Sequence, residues 1–303
     1  MPRRLASRLL WHLLCYSAPF FLCSTTHAAD YLDDRGATIQ LTGTVQRIIS
    51  LAPNVTELIY AAGAGDRLAA VVDYSDFPPQ ARKVTHIGNA SRLDIEGIVT
   101  RRPDLVIGWL SGNRAAEIDV LQHAGIHVFM TEPRRLQDIP RYLRLIGKMA
   151  GTSAVAERVA QTFEHSIAVL RQRYQQRDPV KVFIQVSAHP LYTLNGEHIV
   201  NRALSLCGGR NIFADQHVLA PSVSVESVVA RNPEAIIASI YQGSPAALER
   251  WRQWRSVRAV ANGNLFTIDA DTLMRATPRM LTGITKMCEM LDLARQRRRK
   301  KLD

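Results

Sequence analysis

The stretch Thr152–Asp178, TSAVAERVAQTFEHSIAVLRQRYQQRD, decides the fold. Apolar residues recur in it at steps of three and four, at Val155, Val159, Phe163, Ile167 and Leu170. This spacing predicts one apolar face of a helix, which we expect to stop where Pro179 follows Asp178. At 1.5 Å per residue the helix would be about 40 Å long, roughly the width of a domain.

The segments on either side of this helix repeat one another without a gap. Residues 93–107 read LDIEGIVTRRPDLVI and residues 223–237 read VSVESVVARNPEAII, so that Glu96 aligns with Glu226, Arg101 with Arg231 and Pro103 with Pro233. Each copy has a capping residue, a short helix, a break before proline and an apolar strand. The repeat predicts two similar α/β lobes joined by one long helix. A chance match of two amphipathic segments is the alternative.

Predicted strands alternate with predicted helices in both halves, which indicates a parallel, Rossmann-like sheet with covered faces in each lobe. We divide the chain into a leader (1–29), an N-terminal lobe (30–150), the connecting helix (151–178), a C-terminal lobe (179–294) and a basic tail (295–303). Ligands of such sheets bind beyond the carboxyl ends of the strands, so two facing lobes predict one site in the cleft between them.

The first residues have the pattern of a secretory signal peptide. Arg3, Arg4 and Arg8 precede an apolar core, and small residues lead to cleavage after Ala28 or Ala29. We therefore expect the mature chain in the periplasm. A retained membrane anchor and a lipoprotein modified at Cys23 are the alternatives.

Export changes the interpretation of the cysteines. Cys15 and Cys23 leave with the signal peptide, and Cys207 and Cys288 remain. Two thiols in an oxidising compartment most simply form one disulfide, and two separate buried thiols are the alternative.

The charge is concentrated at the two ends of the chain. The formal net charge is +11, of which the leader carries +3 and residues 295–303 carry +5, leaving +3 for the rest. A body so close to neutral does not favour nucleic-acid binding. The basic tail could touch anionic lipid, but we expect a solvated, frayed end.

Motifs of the common enzyme classes are absent from the sequence. It contains no G-x-S-x-G elbow, no Walker loop and no H-E-x-x-H. His123 and His127 are four residues apart, but Gly125 breaks the helix that would align them as metal ligands. We expect no catalysis, no metal site and no cofactor. An exported enzyme on a two-lobed scaffold is the other class kept open.

Aromatic and charged residues follow several predicted strands. They are Tyr74, Trp109, Tyr192, Asp271 and Arg275. Aromatic faces with a few polar groups suit a large, flat ligand, because the rings supply apolar area and the polar groups set its orientation. Ordinary packing is the alternative for each aromatic residue taken alone.

Four motifs carry a resemblance to a known family. They are YSDFPP at 74–79, PDLVI at 103–107 with Trp109, CGGRNIF at 207–213 and RATPR at 275–279. In this order and spacing they resemble the cobalamin-binding family in the helical-backbone class (class III) of ABC-transporter substrate-binding proteins, from Arg47 to Leu293. The resemblance implies a corrinoid held between the lobes of a monomer, and it places the five residues above at ligand contacts. It also implies a Cys207–Cys288 disulfide.

The resemblance extends to a partner. Glu96 and Glu226 correspond to acidic residues that dock onto arginines of the membrane permease dimer in that family. The sequence also departs from the family, which has further tryptophans in the cleft where this chain reads NAS at 89–91 and VLAP at 218–221. Haem or a ferric siderophore, which relatives of the same architecture bind, is therefore the alternative ligand.

Overall fold

The computed structural model describes residues 28–89, 92–241 and 245–300. Residues 1–27, which hold most of the predicted leader, lie outside the described residues, as do Ala90, Ser91 and residues 301–303. In the described ranges, no helix combines the length and the hydropathy that a membrane span requires.

The N-terminal lobe is built on a four-stranded parallel sheet. Its strands and those of two small hairpins are β1 Ala28–Leu32, β2 Thr38–Thr42, β3 Ile48–Ser50, β4 Leu68–Val71, β5 Gly88–Asn89, β6 Arg92–Leu93, β7 Leu105–Trp109 and β8 Val128–Thr131. Its helices are α1 Pro53–Ala61, α2 Ile95–Thr100, α3 Ala115–His123 and α4 Asp138–Ala150. The strand order of the main sheet is β4-β3-β7-β8.

The long helix α5, Ser153–Tyr174, leads to a C-terminal lobe of the same design. Its strands are β9 Val180–Gln185, β10 Ser187–Ala188, β11 Leu191–Tyr192, β12 Gly209–Asn211, β13 Ala235–Ile240 and β14 Leu265–Asp269. Its helices are α6 Ile199–Leu206, α7 Val225–Arg231, α8 Arg258–Ala261, α9 Ala270–Met274 and α10 Met280–Arg299. The parallel order β12-β9-β13-β14 matches that of the first sheet, which confirms two Rossmann-like lobes joined by one helix.

The sequence repeat is also a structural repeat. The side chains of Asp94 and Ser224 cap helices α2 and α7 by accepting backbone N–H bonds at 2.9 and 3.1 Å. Both helices then end beside a residue in the left-handed region, Arg102 at φ +43° and Asn232 at φ +44°. The proline that follows each of these residues prevents the helix from continuing, so the chain turns directly into the central strand of its sheet.

Helix α5 buries a different stripe from the one that its largest apolar residues predict. Its buried residues are Ala156, Ala160, Phe163, Ile167 and Tyr174. Val155 is 36% exposed, and Val159 and Leu170 are only partly buried. Small residues let the α4 and α5 backbones approach closely, since a Cβ on Gly147 would lie 2.4 Å from the Cβ of Ala156. Close packing against α4 therefore moves the buried stripe by one residue in the first half of the helix, whereas Phe163 and Ile167 are buried as predicted.

The apolar core runs through α5 from one lobe into the other. One cluster joins inner-face residues of the first sheet, such as Ile48, to Phe163 and Ile167 of α5 and to Val182 and Ile184 of the second sheet. Each sheet has a separate cluster on its outer face. A continuous, close-packed core resists shear, so large movements of one lobe against the other would break contacts.

The C-terminal end of the chain is ordered where we expected a frayed end. Cys207, after α6, is disulfide-bonded to Cys288 on α10, as predicted. Helix α10 continues to Arg299, and the Arg295 side chain is 4% exposed. Its guanidinium donates hydrogen bonds of 2.7 Å to the carbonyls of Asp178 and Cys207. The expectation of a frayed end is thus wrong as far as Arg299, and Arg295 is buried, whereas Gln296, Arg299 and Lys300 are exposed to solvent.

The sequence pattern also predicts a final helix from Thr277, a helix at 245–251 and a short strand at 84–87, and the structure differs at each of them. The final helix begins at Met280 rather than Thr277. Residues 245–251 form a 3-10 helix, and residues 84–87 make a bridge at His86 instead of a strand. Strand β12 and helix α9 had no pattern of their own in the sequence, since elements of three and five residues carry too little periodicity.

Candidate functional site

A cavity of about 690 Å³ lies between the two lobes. Its lining residues are Pro53, Asn54, Tyr74, Asp76, Trp109, Ser111, Glu132, Pro133, Arg134, His198, Ile199, Leu219, Tyr241, Asp269, Asp271, Met274, Arg275 and Ala276. Most of them end a sheet strand or follow its carboxyl end closely, in both lobes. The cavity therefore lies where parallel sheets usually bind their ligands.

Two aromatic residues of the N-terminal lobe form one wall. Tyr74 follows β4, is 78% exposed and has φ +64°, a left-handed conformation that is rare for a bulky residue. Such conformations concentrate at binding sites, where the surrounding structure enforces them. Trp109 ends β7, and its backbone N–H donates to Oδ1 of Asn113 at 2.8 Å. Gly112 lies against the indole, where an added Cβ would come within 2.1 Å of the ring.

The C-terminal lobe contributes a different aromatic residue from the predicted one. Tyr241, directly after β13, lines the cavity and is 68% exposed. Tyr192 lies in β11 of a small hairpin, is 38% exposed and does not line the cavity. A ligand contact at Tyr192 remains a prediction. The sequence signal for Tyr241 was its position directly after an apolar strand run, the same signal that singled out Trp109.

Arg275 is the centre of the charged wall. Its guanidinium forms ion pairs with Asp271 at 2.8 Å, with Asp76 at 2.9 Å and with Glu57 at 2.9 Å. Asp271 belongs to its own lobe, whereas Asp76 and Glu57 belong to the other. The structure thus brings together four of the five predicted ligand residues, namely Tyr74, Trp109, Asp271 and Arg275.

Glu57 is another residue of this site that the sequence did not reveal. It lies on α1, and its side chain is 2% exposed. Its carboxylate accepts hydrogen bonds from Arg275 and Thr277 at 2.9 Å each, and from Arg279 at 2.5 and 3.2 Å. All three donors come from the C-terminal lobe. A buried carboxylate with such partners holds the lobes together beneath the cavity.

The carboxyl groups around Arg275 differ in their pKa. Burial alone would raise the pKa of Asp76, but the hydrogen bond and the charge of Arg275 outweigh it and lower that pKa. Burial raises the pKa of Asp271, although the charge of Arg275 acts against it. Burial raises the pKa of the Tyr241 phenol as well, and the negative charge of Asp271 adds to the increase. The hydroxyl of Tyr241 is therefore a neutral hydrogen-bonding group at physiological pH.

His198 is a third residue that the sequence analysis missed. Its Nδ1 accepts the backbone N–H of Val200 at 3.1 Å and so caps helix α6. Burial, together with the nearby charge of Arg134, lowers the pKa of His198 to about 4. The imidazole therefore faces the cavity uncharged, with Nε2 carrying the proton, because Nδ1 acts as an acceptor. Arg134 forms an ion pair with Glu132 at 2.9 Å.

The two repeat carboxylates lie on the surface. Glu96 and Glu226 are exposed in the first turns of α2 and α7, at equivalent places in the two lobes. In the part of the chain that the structure describes, neither has an ion-pair partner. Over the same ranges, no group of three or more His, Cys, Asp or Glu residues is arranged to hold a metal ion.

The fold and the cleft place the chain in a known class of protein. The model of the periplasmic binding protein family matches residues 48–272, and the chain belongs to this family. The vitamin B12-binding protein of Vibrio cholerae is 37% identical over 252 residues, which cover 83% of this chain and 91% of that protein. The vitamin B12-binding protein of Yersinia pestis is 34% identical over 247 residues, which cover 81% of this chain and 86% of that protein.

Solved structures give the same result. The crystal structure of the periplasmic vitamin B12 binding protein BtuF of Vibrio cholerae has a TM-score of 0.79 at 37% identity, covering 83% of this chain and 98% of that one. The periplasmic heme-binding protein RhuT of Roseiflexus sp. RS-1, in its apo form, has a TM-score of 0.72 at 24% identity, covering 83% of this chain and all of that one. The second likeness concerns the fold alone.

Proposed function

We propose that this chain is a non-enzymatic periplasmic substrate-binding protein that holds cobalamin between its lobes and delivers it, as a monomer, to an ABC importer. The observation that carries the proposal is the cavity between the lobes, in which exposed aromatic rings from both lobes face a few fixed polar groups. The sequence identity with proteins named for vitamin B12 binding supports cobalamin as the ligand. The division of the chain into a leader, two lobes, a connecting helix and a tail is part of the same proposal.

Calorimetry on the mature, disulfide-intact protein tests the ligand. Cyanocobalamin, haem and a ferric siderophore are titrated separately, with Trp109 fluorescence as a second readout. We expect one-to-one binding of cyanocobalamin and weak binding of the two iron ligands. Binding of haem or the siderophore, with no binding of cyanocobalamin, would show that the protein carries an iron compound. Tyr74 would then be the candidate side chain to coordinate the iron.

A double substitution tests the aromatic wall. Tyr74→Ala plus Trp109→Ala removes two rings that line the cavity, and we expect at least a hundredfold loss of cyanocobalamin affinity, since each buried ring contributes about 1.5–3 kcal/mol. Tyr60→Ala is unsuitable as a control because that ring packs against Gly65. Tyr192→Ala is the matched comparison, because Tyr192 is exposed but does not line the cavity. Full retention of affinity in the double variant would contradict the site.

A further inference from the structure

The charges that line the cavity are unbalanced. Four carboxylates face it, those of Asp76, Glu132, Asp269 and Asp271, against two guanidiniums, those of Arg134 and Arg275. Residues 90–91 and 242–244, which interrupt the described ranges, contain no ionisable residue. The lining therefore carries a net negative charge. The residues directly behind Arg275 leave this balance unchanged, because Glu57 is offset by Arg279.

Both guanidiniums are already paired with carboxylates of the protein. Arg275 is surrounded by Glu57, Asp76 and Asp271 at 2.8–2.9 Å. Arg134 is held by Glu132 at 2.9 Å, and Glu132 also accepts the backbone N–H of Ser111 at 2.9 Å. His198 is uncharged and adds no positive charge to the lining. A ligand carboxylate would have to displace a carboxylate of the protein in order to pair with Arg275. At Arg134, whose buried Nη1 has no hydrogen-bond partner among the described residues, it would still lie beside the carboxylate of Glu132.

From this balance, and on the basis of the proposed function, we infer that the cavity selects corrinoids whose peripheral groups are uncharged amides and rejects ligands that carry carboxylates. Amide groups can donate hydrogen bonds to carboxylates of the lining, such as those of Asp269 and Asp271, and accept them from the phenol of Tyr241. A carboxylate can only accept hydrogen bonds, and it would face several fixed negative charges in a partly desolvated site. The same rule disfavours haem, whose propionates are anionic.

The test compares cyanocobalamin with its derivative in which one peripheral propionamide is hydrolysed to a carboxylate. The two ligands have nearly the same shape and differ by one charge. We expect the carboxylate derivative to bind at least about tenfold more weakly at neutral pH, since like charges facing each other in an interface oppose binding. The difference should shrink as salt is added, because salt screens the partly exposed charges.

A charge-neutralising variant completes the test. Asp269→Asn plus Glu132→Gln removes two negative charges from the lining. Asparagine at 269 can still accept the backbone N–H of Thr272, which Asp269 accepts at 2.9 Å. We expect the ratio of the two affinities to fall at least about threefold in this variant, because the repulsion of the carboxylate is reduced. Glu289→Gln, which removes one exposed charge on α10 at a residue that does not line the cavity, should leave both affinities unchanged.

The possible results separate the two claims. Tight binding of cyanocobalamin with equal binding of the carboxylate derivative would overturn the charge selection and leave the proposed function intact. An unchanged ratio in the double variant would overturn the role of these carboxylates. Failure to bind cyanocobalamin would overturn the proposed function and the inference together. Weak carboxylate binding that the double variant restores, and Glu289→Gln does not, supports the inference.

Discussion

At the scale of single residues, the site depends on Glu57. A carboxylate with 2% of its side chain exposed would be strongly unfavourable alone, but Arg275, Thr277 and Arg279 satisfy it. Removing one partner of such a cluster costs more than forming the cluster gains, because the opposite charges are then left buried without compensation. The main effect of losing Glu57 would therefore be that the guanidiniums of Arg275 and Arg279 stay largely buried without the carboxylate that they share.

We predict that Glu57→Gln lowers the free energy of unfolding by about 3 kcal/mol, the usual cost of breaking a buried ion pair. Urea denaturation followed by circular dichroism measures it, with Glu289→Gln as the control for an exposed carboxylate. The double variant Glu57→Gln plus Arg275→Met should lose less stability than the two single variants together. Each single variant already loses the contact between these two residues, so the sum counts that contact twice. Simple additivity would contradict a shared cluster.

The sequence could not reveal Glu57 because its partners are distant in the chain. The stretch VTELIYAAG at 55–63 predicts a helix, and a glutamate in such a pattern is normally assigned to the solvent-facing side. Its partner Arg275 lies 218 residues further along. Trp109 and Arg275 could be singled out, in contrast, because each follows a strand pattern that is visible locally.

His198 provides a pH dependence. Its pKa of about 4 in the folded protein is below the ordinary value of 6.5, so between these pH values the unfolded chain binds a proton that the folded chain does not. Stability is therefore full above about pH 6.5 and falls as the pH decreases toward 4, by about 3 kcal/mol from this residue at roughly 1.4 kcal/mol per pKa unit. His198→Asn keeps a capping side chain and removes the titration. Between pH 4 and pH 7, the free energy of unfolding should fall more steeply with decreasing pH in the wild type than in the variant. Equal slopes for the two proteins would refute the assignment.

At the scale of elements, the pairing of α4 with α5 fixes the connection between the lobes. The position of α5 could be predicted from its periodicity, but the helix ends at Tyr174, four residues before the predicted stop at Asp178. The burial of Phe163 and Ile167 could be predicted as well, whereas that of the small residues could not, because large apolar side chains dominate a sequence pattern and close helix packing favours small ones. Ala156 and Ala160 are buried, while Val155 is left at the surface.

Gly147→Ala tests this packing. The added methyl group would lie 2.4 Å from the Cβ of Ala156, and neither helix can move without disturbing the core. We predict a destabilisation of about 1–3 kcal/mol by overpacking, even though alanine is the better helix former. Thermal denaturation measures the effect, and Ala154→Gly at the exposed start of α5 controls for propensity alone. A more stable Gly147→Ala variant would show that the helices are less tightly packed than described.

At the scale of the whole molecule, the two lobes share one core and a repeated surface feature. The core continues through α5, so we expect small changes of shape when a ligand binds. The equivalent positions of Glu96 and Glu226 give the molecule two exposed carboxylates, one per lobe, at a fixed separation. A partner with two-fold symmetry can recognise such a pair by charge and spacing together.

We predict that Glu96→Ala plus Glu226→Ala abolishes most of the cobalamin uptake by cells while the purified protein binds cobalamin with unchanged affinity. Neither residue lines the cavity, so a loss confined to uptake would identify the docking step. Glu249→Ala plus Glu289→Ala removes the same number of exposed carboxylates elsewhere on the C-terminal lobe and should leave uptake normal. Normal uptake in the Glu96 and Glu226 variant would refute docking through these residues.

The contacts of Arg295 have a practical consequence for anyone who engineers this chain. Its guanidinium binds carbonyls at the end of the connecting segment and beside the disulfide, so three distant parts of the chain depend on one side chain near the carboxyl end. A chain truncated after Leu293 to remove basic residues would lack Arg295 and would leave both carbonyls without this donor. Affinity tags and fluorophores are better attached after Lys300, where they leave this junction whole.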